Sequence, residues 1–500
     1  MLMQRHGDAA TIGDLFAATV GRFPEREALV FREQRWSYRE LGRLVSGAAN
    51  RLAHLLPDAG ARVALVGGNH PAYVVGYFAA QVLGASTAEV GRDESLATVL
   101  DTVNVACPSV VLTDRRDLVE ALRGRVAVQD FGGFLSSCAD MAEPGVRARA
   151  RPGDDTSEAC IVFTSGTTGL PKGVVLSHRN VLFVVDAVCR YLAIQPEDRY
   201  ALVLPLSHTY GKSNLLTAVA AGATSVIVER FEDLPGFFEQ LHRGRCTLLS
   251  VVPFHLNVLA RRGLPPGDGL PALRAITTSG GELSWETARA VTRLLPRTRL
   301  FAMYGLTEAA TRVSYLDPEL LMVKRGSVGR PLPGVQVEIH GEDGRRVVDG
   351  ATGEIAVQGP NVMRRYLADD DLTRTSIVDG WLLTGDLGHL DQDGFLYIEG
   401  RTKEILKVAG ERISPAEIEH TLASHPAIAD AAVVGAPDAL LGEVAWAYVV
   451  LRPGAPGIGD LSRHCAARLS PHKIPRRVVV VDHIPRTPTG KIRRRLLGER

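Results

Sequence analysis

The densest chemistry in the chain lies in residues 161–174. An apolar run, Ile161, Val162 and Phe163, leads into Thr164, Ser165, Gly166, Thr167, Thr168, Gly169, Leu170, Pro171, Lys172 and Gly173. Glycines let backbone N–H groups turn inward and approach an anion closely. The hydroxyls of Thr164, Ser165, Thr167 and Thr168 add donors for phosphate oxygens, and Lys172 adds a point charge. A Walker A loop needs Gly, four residues, then Gly-Lys-Ser/Thr opening a helix. Here Gly173 and a strand-like Val174, Val175 and Leu176 follow the lysine, so that reading fails on spacing. A Gly/Ser surface linker would need neither the buried strand before it nor the Pro-Lys-Gly within it.

On these residues the chain resembles the adenylate-forming superfamily: acyl-CoA synthetases, nonribosomal-peptide adenylation domains and firefly luciferase. The resemblance runs from about Leu15 to Arg494, with its motifs in family order. It implies ATP and Mg2+ as cofactors, a small carboxylic acid as substrate, and a thiol acceptor: CoA, or the phosphopantetheine arm of an acyl carrier protein. Tyr304, Gly305, Leu306, Thr307 and Glu308 match the second nucleotide motif. There the tyrosine offers a face to the purine, Thr307 donates to the α-phosphate, and Glu308 is a hard oxygen ligand for Mg2+. Ser279, Gly280, Gly281, Glu282 and Leu283 resemble the glycine-rich turn under adenine, which also lines the acyl pocket; the usual longer form is shortened here. The segment from Trp381 to Gly388 resembles the ribose motif, with Asp386 accepting from the ribose hydroxyls and Arg401 assisting.

Lys491, in the run from Pro485 to Ile492, matches a lysine that a C-terminal lid domain carries into the site. There it stabilises charge on the α-phosphate and the attacking carboxylate. Lys403 falls at the hinge about which that domain rotates, and Gly410 at the passage of the thiol arm. The run from Pro205 to Asn214 resembles the acyl-pocket wall: His208 near the carboxylate, Tyr210 and Asn214 where 4-coumarate–CoA ligases meet the ring. No aspartate opens this run, which argues against an α-amino acid substrate. Lys212 either faces a polar or anionic substituent of the substrate or points to solvent.

The implied reaction is adenylation of an aryl, arylpropenoic or fatty acid with release of pyrophosphate, then transfer of the acyl group to CoA. Loading of a carrier protein, or transfer of an unusual adenylated oxyanion to an amine, shares the same motifs. A non-catalytic nucleotide or acyl-ligand binding protein is the alternative of another class. Against it stand Lys172, Glu308, Asp386 and Lys491, all present.

These groups need a scaffold. Strands at residues 62–66 and 109–112 alternate with helices near 73–83 and 118–123, a rhythm that predicts a doubly wound parallel sheet. A hairpin at residues 28–37 and a helix over 38–56 precede it. The rhythm resumes with strands at 200–204, 225–228, 247–252 and 275–279, and a helix over 214–221. From about 326 to 400, crowded turn signals such as Pro333-Gly334 and Asp393-Gly394 predict a small β-rich subdomain. Residues 401–500 read as a compact α+β unit with strands at 404–406, 431–434 and 444–451 and helices at 415–424 and 460–469. The expected plan is therefore an α/β adenylation domain over 1–400 and a mobile C-terminal domain over 401–500.

Composition sets the outer bounds. With 57 basic and 56 acidic residues, the net charge of +1 gives no footprint for a nucleic-acid binder. The six cysteines are scattered without metal spacing and read as free thiols of a reducing compartment. No signal peptide and no window of 18 uninterrupted apolar residues is found, so the expectation is a cytoplasmic protein without an integral membrane segment.

Overall fold

The structure is a computed structural model that describes residues 9–56, 60–140, 154–164, 171–229, 231, 233–264, 270–341, 343–348, 350–401, 406–408, 411–438, 441–455, 457–486 and 492–497. It is a mixed α/β fold, with a large sheet-rich N-terminal region and a separate C-terminal domain.

Two sheets organise the N-terminal region. The centre of the first is a parallel run in the spatial order Glu27–Phe31, Thr224–Ile227, Arg199–Leu202, Leu248–Val251, Ala275–Thr278 and Arg299–Tyr304. The second sheet has seven strands. Ala127–Asp130, Val110–Thr113, Arg62–Gly67, Ser86–Gly91 and Glu158–Thr164 run parallel, and Lys172–Ser177 and Arg365–Tyr366 close the edge antiparallel.

Successive side chains of a strand point to opposite faces, and a strand covered on both faces reads as continuously apolar. Val63 and Leu65 enter the central core between the sheets, while Ala64 and Val66 enter a core on the far face. The central core also takes the helices Pro71–Val82, His178–Tyr191 and Thr209–Ala221. Outer helices such as Trp285–Leu294 cover the other face of the first sheet. Local signals start two of the helices: Ser37 with Glu40, where a helix over 38–56 is expected, and Ser177 with Asn180 form capping boxes.

The β-rich segment is present as the antiparallel strands Ser327–Pro331, Gln336–His340, Gly353–Gln358, Trp381–Leu390 and Leu396–Arg401. The C-terminal domain pairs Ile428–Asp438 with Gly442–Leu451 and packs the helices Pro415–Ala423 and Leu461–Ala466 on a core drawn from residues 406–469. Among the described residues, no helix is long and apolar enough to cross a membrane, and the six cysteines are free thiols.

Three elements differ from expectation. The strand Ser86–Gly91 does not read as apolar because it carries Glu89, a carboxylate that is buried because Lys212 meets it inside. The pocket-wall helix begins at Thr209, not 214; its first residues are poor helix formers, and packing overrides propensity. The last helix is confined to Leu461–Ala466; of the strand expected at 404–406, residues 404 and 405 lie outside the described residues, and Leu406 opens the strand Leu406–Val408.

Candidate active site

In open α/β sheets, ligands gather beyond the carboxyl ends of the parallel strands. The predicted residues gather there too. Thr164 ends the strand Glu158–Thr164, Ser279 and Gly280 follow Ala275–Thr278, and Tyr304 ends Arg299–Tyr304. Two glycines are required by geometry. Gly280 sits at φ +89°, and a Cβ at Gly305 would lie 2.0 Å from the Thr311 carbonyl oxygen.

One polar cluster joins the end of the first sheet to the β-rich segment. Tyr304 donates from its hydroxyl to Asp386 Oδ2 at 2.6 Å, and Arg401 Nε lies 2.7 Å from Asp386 Oδ1. Asp386 and Arg401 face each other across the strands Trp381–Leu390 and Leu396–Arg401, so backbone register sets their pairing. Asp386 is only 4% exposed, and its backbone N–H donates to Thr384 Oγ1. Burial, reinforced by the Asp386 carboxylate, drives the Tyr304 phenol well above its usual pKa and keeps it a donor. The tyrosine thus orients the carboxylate.

A second cluster gathers the groups expected around the phosphates. Lys172 lies opposite Thr164 in the antiparallel pair, with its Nζ 5.8 Å from the centre of the Tyr366 ring. The Tyr366 hydroxyl donates to Glu308 Oε1 at 2.9 Å. Burial and the neighbouring Glu308 both raise the Tyr366 pKa. Tyr366 gets there because the short strand Arg365–Tyr366 pairs with Lys172–Ser177, while Met363 N–H donates to the Glu308 carbonyl. Tyr366 has no counterpart in the sequence reading; only its place on that edge strand reveals it. Thr307 opens a short 3-10 turn beside Glu308. Among the described residues no group of three or more His, Cys, Asp or Glu could hold a metal. The donor set fits an ion held by Glu308 and nucleotide phosphates, the usual Mg2+ arrangement.

The residues expected to form the acyl wall lie on the helix Thr209–Ala221 and at its N-cap. His208 is its N-cap residue, without a side-chain cap bond. Tyr210 and Asn214 share a face one turn apart. The Tyr210 hydroxyl and Thr277 Oγ1 are 2.8 Å apart, and Ser250 Oγ donates to Asn214 Oδ1 at 3.1 Å. Burial pushes the Tyr210 phenol up to about 12. Lys212 corrects the expectation. It is 3% exposed, so it does not point to solvent, and the anion it meets is Glu89 of the second sheet. On a helix it lies about 200° around from Tyr210. Burial holds its ammonium well below the usual lysine pKa, and the pair fastens the wall helix to the second sheet.

Glu282 is exposed on its turn, with His420 of the C-terminal domain 3.6 Å away. Gly281 is exposed beside it. Ser165, Gly166, Thr167, Thr168, Gly169, Lys403, Gly410 and Lys491 lie outside the described residues.

Comparison with known proteins agrees with this geometry. The family described as AMP-binding enzyme matches residues 16–367, and the AMP-binding enzyme C-terminal domain matches residues 417–491. The chain is 34% identical over 491 residues to indoleacetate–CoA ligase of Aromatoleum aromaticum, covering 95% of each chain. It is 33% identical over 482 residues to 2-succinylbenzoate–CoA ligase of Bacillus subtilis, again covering 95% of each. The solved o-succinylbenzoate CoA synthetase from Bacillus subtilis in complex with its acyl-adenylate intermediate superposes with a TM-score of 0.87 at 31% identity, covering 97% of this chain and 98% of that one. The same synthetase in complex with ATP and magnesium ion gives a TM-score of 0.85, also at 31% identity, 97% and 98%. With matched segments, site clusters and fold in accord, the chain belongs to the AMP-binding enzyme family.

Proposed function

We propose that this chain adenylates an aryl carboxylic acid with ATP and passes the acyl group to CoA. It is an ATP-dependent acid–thiol ligase by family. The observation that carries the reading is that the Tyr304–Asp386–Arg401 cluster, the Lys172–Tyr366–Glu308 cluster and the Tyr210–Asn214 wall are each tied to a strand end, at Tyr304, at Thr164 opposite Lys172, and at Thr277. The names of the relatives, indoleacetate and 2-succinylbenzoate ligases, support an aryl acid and CoA.

In the first half-reaction a substrate carboxylate oxygen attacks the α-phosphorus, the bond to the bridging oxygen breaks, and pyrophosphate leaves. No protein nucleophile takes part; the residues position groups and offset charge. Asp386 and Arg401 hold the ribose, while Tyr304, Gly280, Gly281 and Glu282 border the adenine. Thr307 and the 164–169 loop donate to phosphate oxygens, and Lys172 offsets their charge. Magnesium, when bound with the nucleotide, neutralises phosphate charge, and Glu308 would give it one oxygen ligand held in place by Tyr366. His208 stands at the reacting carboxylate.

Lys491 is carried by the C-terminal domain, whose boundary we place after residue 400 with Lys403 as the pivot; the separate core of residues 406–469 supports this division. A hinge rotation then exchanges Lys491 for the thiol arm. The thiol attacks the acyl carbon, and AMP leaves. The free cysteines accord with a reducing, cytoplasmic setting.

The test is acid-dependent pyrophosphate release over a panel of aryl, arylpropenoic and fatty acids, with thioester formation followed on CoA and on a phosphopantetheinylated carrier protein. The expected result is an aryl-acid-dependent signal, thioester on CoA, and a fall of about 100-fold in Lys491→Ala. Thioester on the carrier alone would move the acceptor to that protein. Release indifferent to any acid would overturn the reading.

A further inference from the structure

We propose that Arg312 anchors a second carboxylate on the acyl substrate, so that the pocket takes a dicarboxylic acid of which one carboxyl is adenylated. The proposal rests on the reading of the Tyr210–Asn214 wall as the acyl pocket.

Arg312 is the largest fully buried side chain, with 0% exposure. A buried guanidinium is expensive unless an anion meets it. Its Nε donates to the Tyr191 hydroxyl at 3.2 Å, its Nη1 donates to the Thr311 carbonyl at 3.0 Å and lies 3.5 Å from Thr311 Oγ1, and its carbon centre stands 4.4 Å from the middle of the Tyr210 ring. Nη2 has no acceptor, and no carboxylate of the described residues forms an ion pair with Arg312. The other buried cation, Lys212, has Glu89; the part-buried Arg274 has Asp198. The fold pairs those cations itself and leaves this one for something else.

The groups around it are neutral. Tyr210, Thr277, Ser250 and Tyr200 form a chain of hydroxyls at 2.7–3.0 Å. Burial pushes the Tyr210 phenol up to about 12 and raises Tyr200 as well, so neither supplies a negative charge near neutral pH. Asn214 Nδ2, on the same wall, is a second buried donor without an acceptor. Two unanswered donors, one of them charged, beside Tyr210 call for an acceptor-rich group. A carboxylate matches the planar fork of a guanidinium.

The backbone that delivers Arg312 is strained. Ala310 and Thr311 lie at φ +47° and +77°, and a β-branched residue rarely adopts that region. Such strain persists where the surrounding structure enforces it, and it clusters at ligand sites. Among the described residues the Arg312 side chain bonds to no member of the Asp386 or Glu308 cluster; its guanidinium meets Tyr191, Thr311 and Tyr210, while its backbone carbonyl accepts from Asn361 and its N–H donates to the Ala309 carbonyl. Its place is therefore the acyl side, remote from the reacting carboxylate.

The experiment measures kcat/KM for pyrophosphate release with aryl dicarboxylic acids of graded length, each beside the half-amide and the methyl analogue of the same shape. The wild-type enzyme is expected to favour one diacid over its half-amide by about 100-fold or more. R312Q is expected to bring that ratio close to one, and R312K to restore part of it. Equal use of diacid and half-amide by the wild-type enzyme, or equal losses on both in R312Q, would overturn the proposal; the wild-type panel decides even if a variant does not fold. Calorimetry of each acid against the wild-type protein separates this idea from the function it rests on. Binding that follows the second carboxylate without any acid-driven release would uphold the anchor and sink the ligase reading. No binding of any diacid would overturn the anchor.

Discussion

At the proposed nucleotide edge, Asp386 is held between the Tyr304 hydroxyl and the Arg401 guanidinium, and Glu308 accepts from Tyr366. At the proposed acyl wall, Arg312 is buried among tyrosines with one nitrogen unanswered, and Asn214 keeps a free donor. The first region has Asp386 paired and both carboxylates held by hydrogen bonds before any ligand arrives. Such preorganisation suits a cosubstrate that is always the same. The second leaves part of its polar balance to the incoming acid, and an unpaired buried donor is a means of selection, because a ligand that fails to pair it loses affinity.

Asp386→Ala breaks the preset side most severely. It leaves the Tyr304 hydroxyl buried without its acceptor and removes the proposed ribose acceptor. We expect kcat/KM for ATP to fall about 100-fold and unfolding in urea to show a loss of about 2 kcal/mol, two charged hydrogen bonds being at stake. An unchanged KM for ATP would show that Asp386 serves the fold alone. Tyr366→Phe removes one bond to Glu308 and keeps the ring over which Lys172 lies. Activity should drop about tenfold, and the Mg2+ concentration for half-maximal rate should rise; a purely packing role would leave the Mg2+ dependence alone.

On the acyl side, Thr277→Val interrupts the hydroxyl chain between Tyr210 and Ser250. A loss of about 1–2 kcal/mol in stability is expected, with KM for the acid rising and KM for ATP unaffected. Equal shifts in both KM values would erase the distinction between the two regions.

The smallest effect concerns pH. Burial lowers His178 and His255 to about 4, and His178 Nδ1 accepts from Ile12 N–H. Unfolded imidazole protonates near 6.5. Between those values the unfolded chain binds the extra protons, so stability is full above about pH 6.5 and falls as pH drops toward 4. His178→Asn should make that slope shallower by about one proton in urea titrations at several pH values. Activity that declines at higher pH than stability does would place another titrating group in the site.

Much of the proposed nucleotide edge was legible in the sequence because contiguous motifs carry it: Tyr304 through Glu308 is a short run at a strand end, and Trp381 through Gly388 lies within one strand. Their partnerships were not legible. Tyr304 meets Asp386 across 82 positions and Tyr366 meets Glu308 across 58, and only strand pairing brings them together. Lys212 misled for a related reason: helix phase turns it from the wall, and its partner Glu89 sits in a strand whose charge disguised it. Arg312 stands just past a recognised motif, but its meaning depends on the burial and the neutral company that the tertiary fold provides.

The most direct test of the central claim is the exchange of labelled pyrophosphate into ATP, with Mg2+ and an aryl acid but without CoA. The account predicts exchange that requires the acid, proceeds without the thiol and is lost in Lys491→Ala. Exchange that needs CoA, or that runs equally well without any acid, would contradict an acyl-adenylate formed at these strand ends.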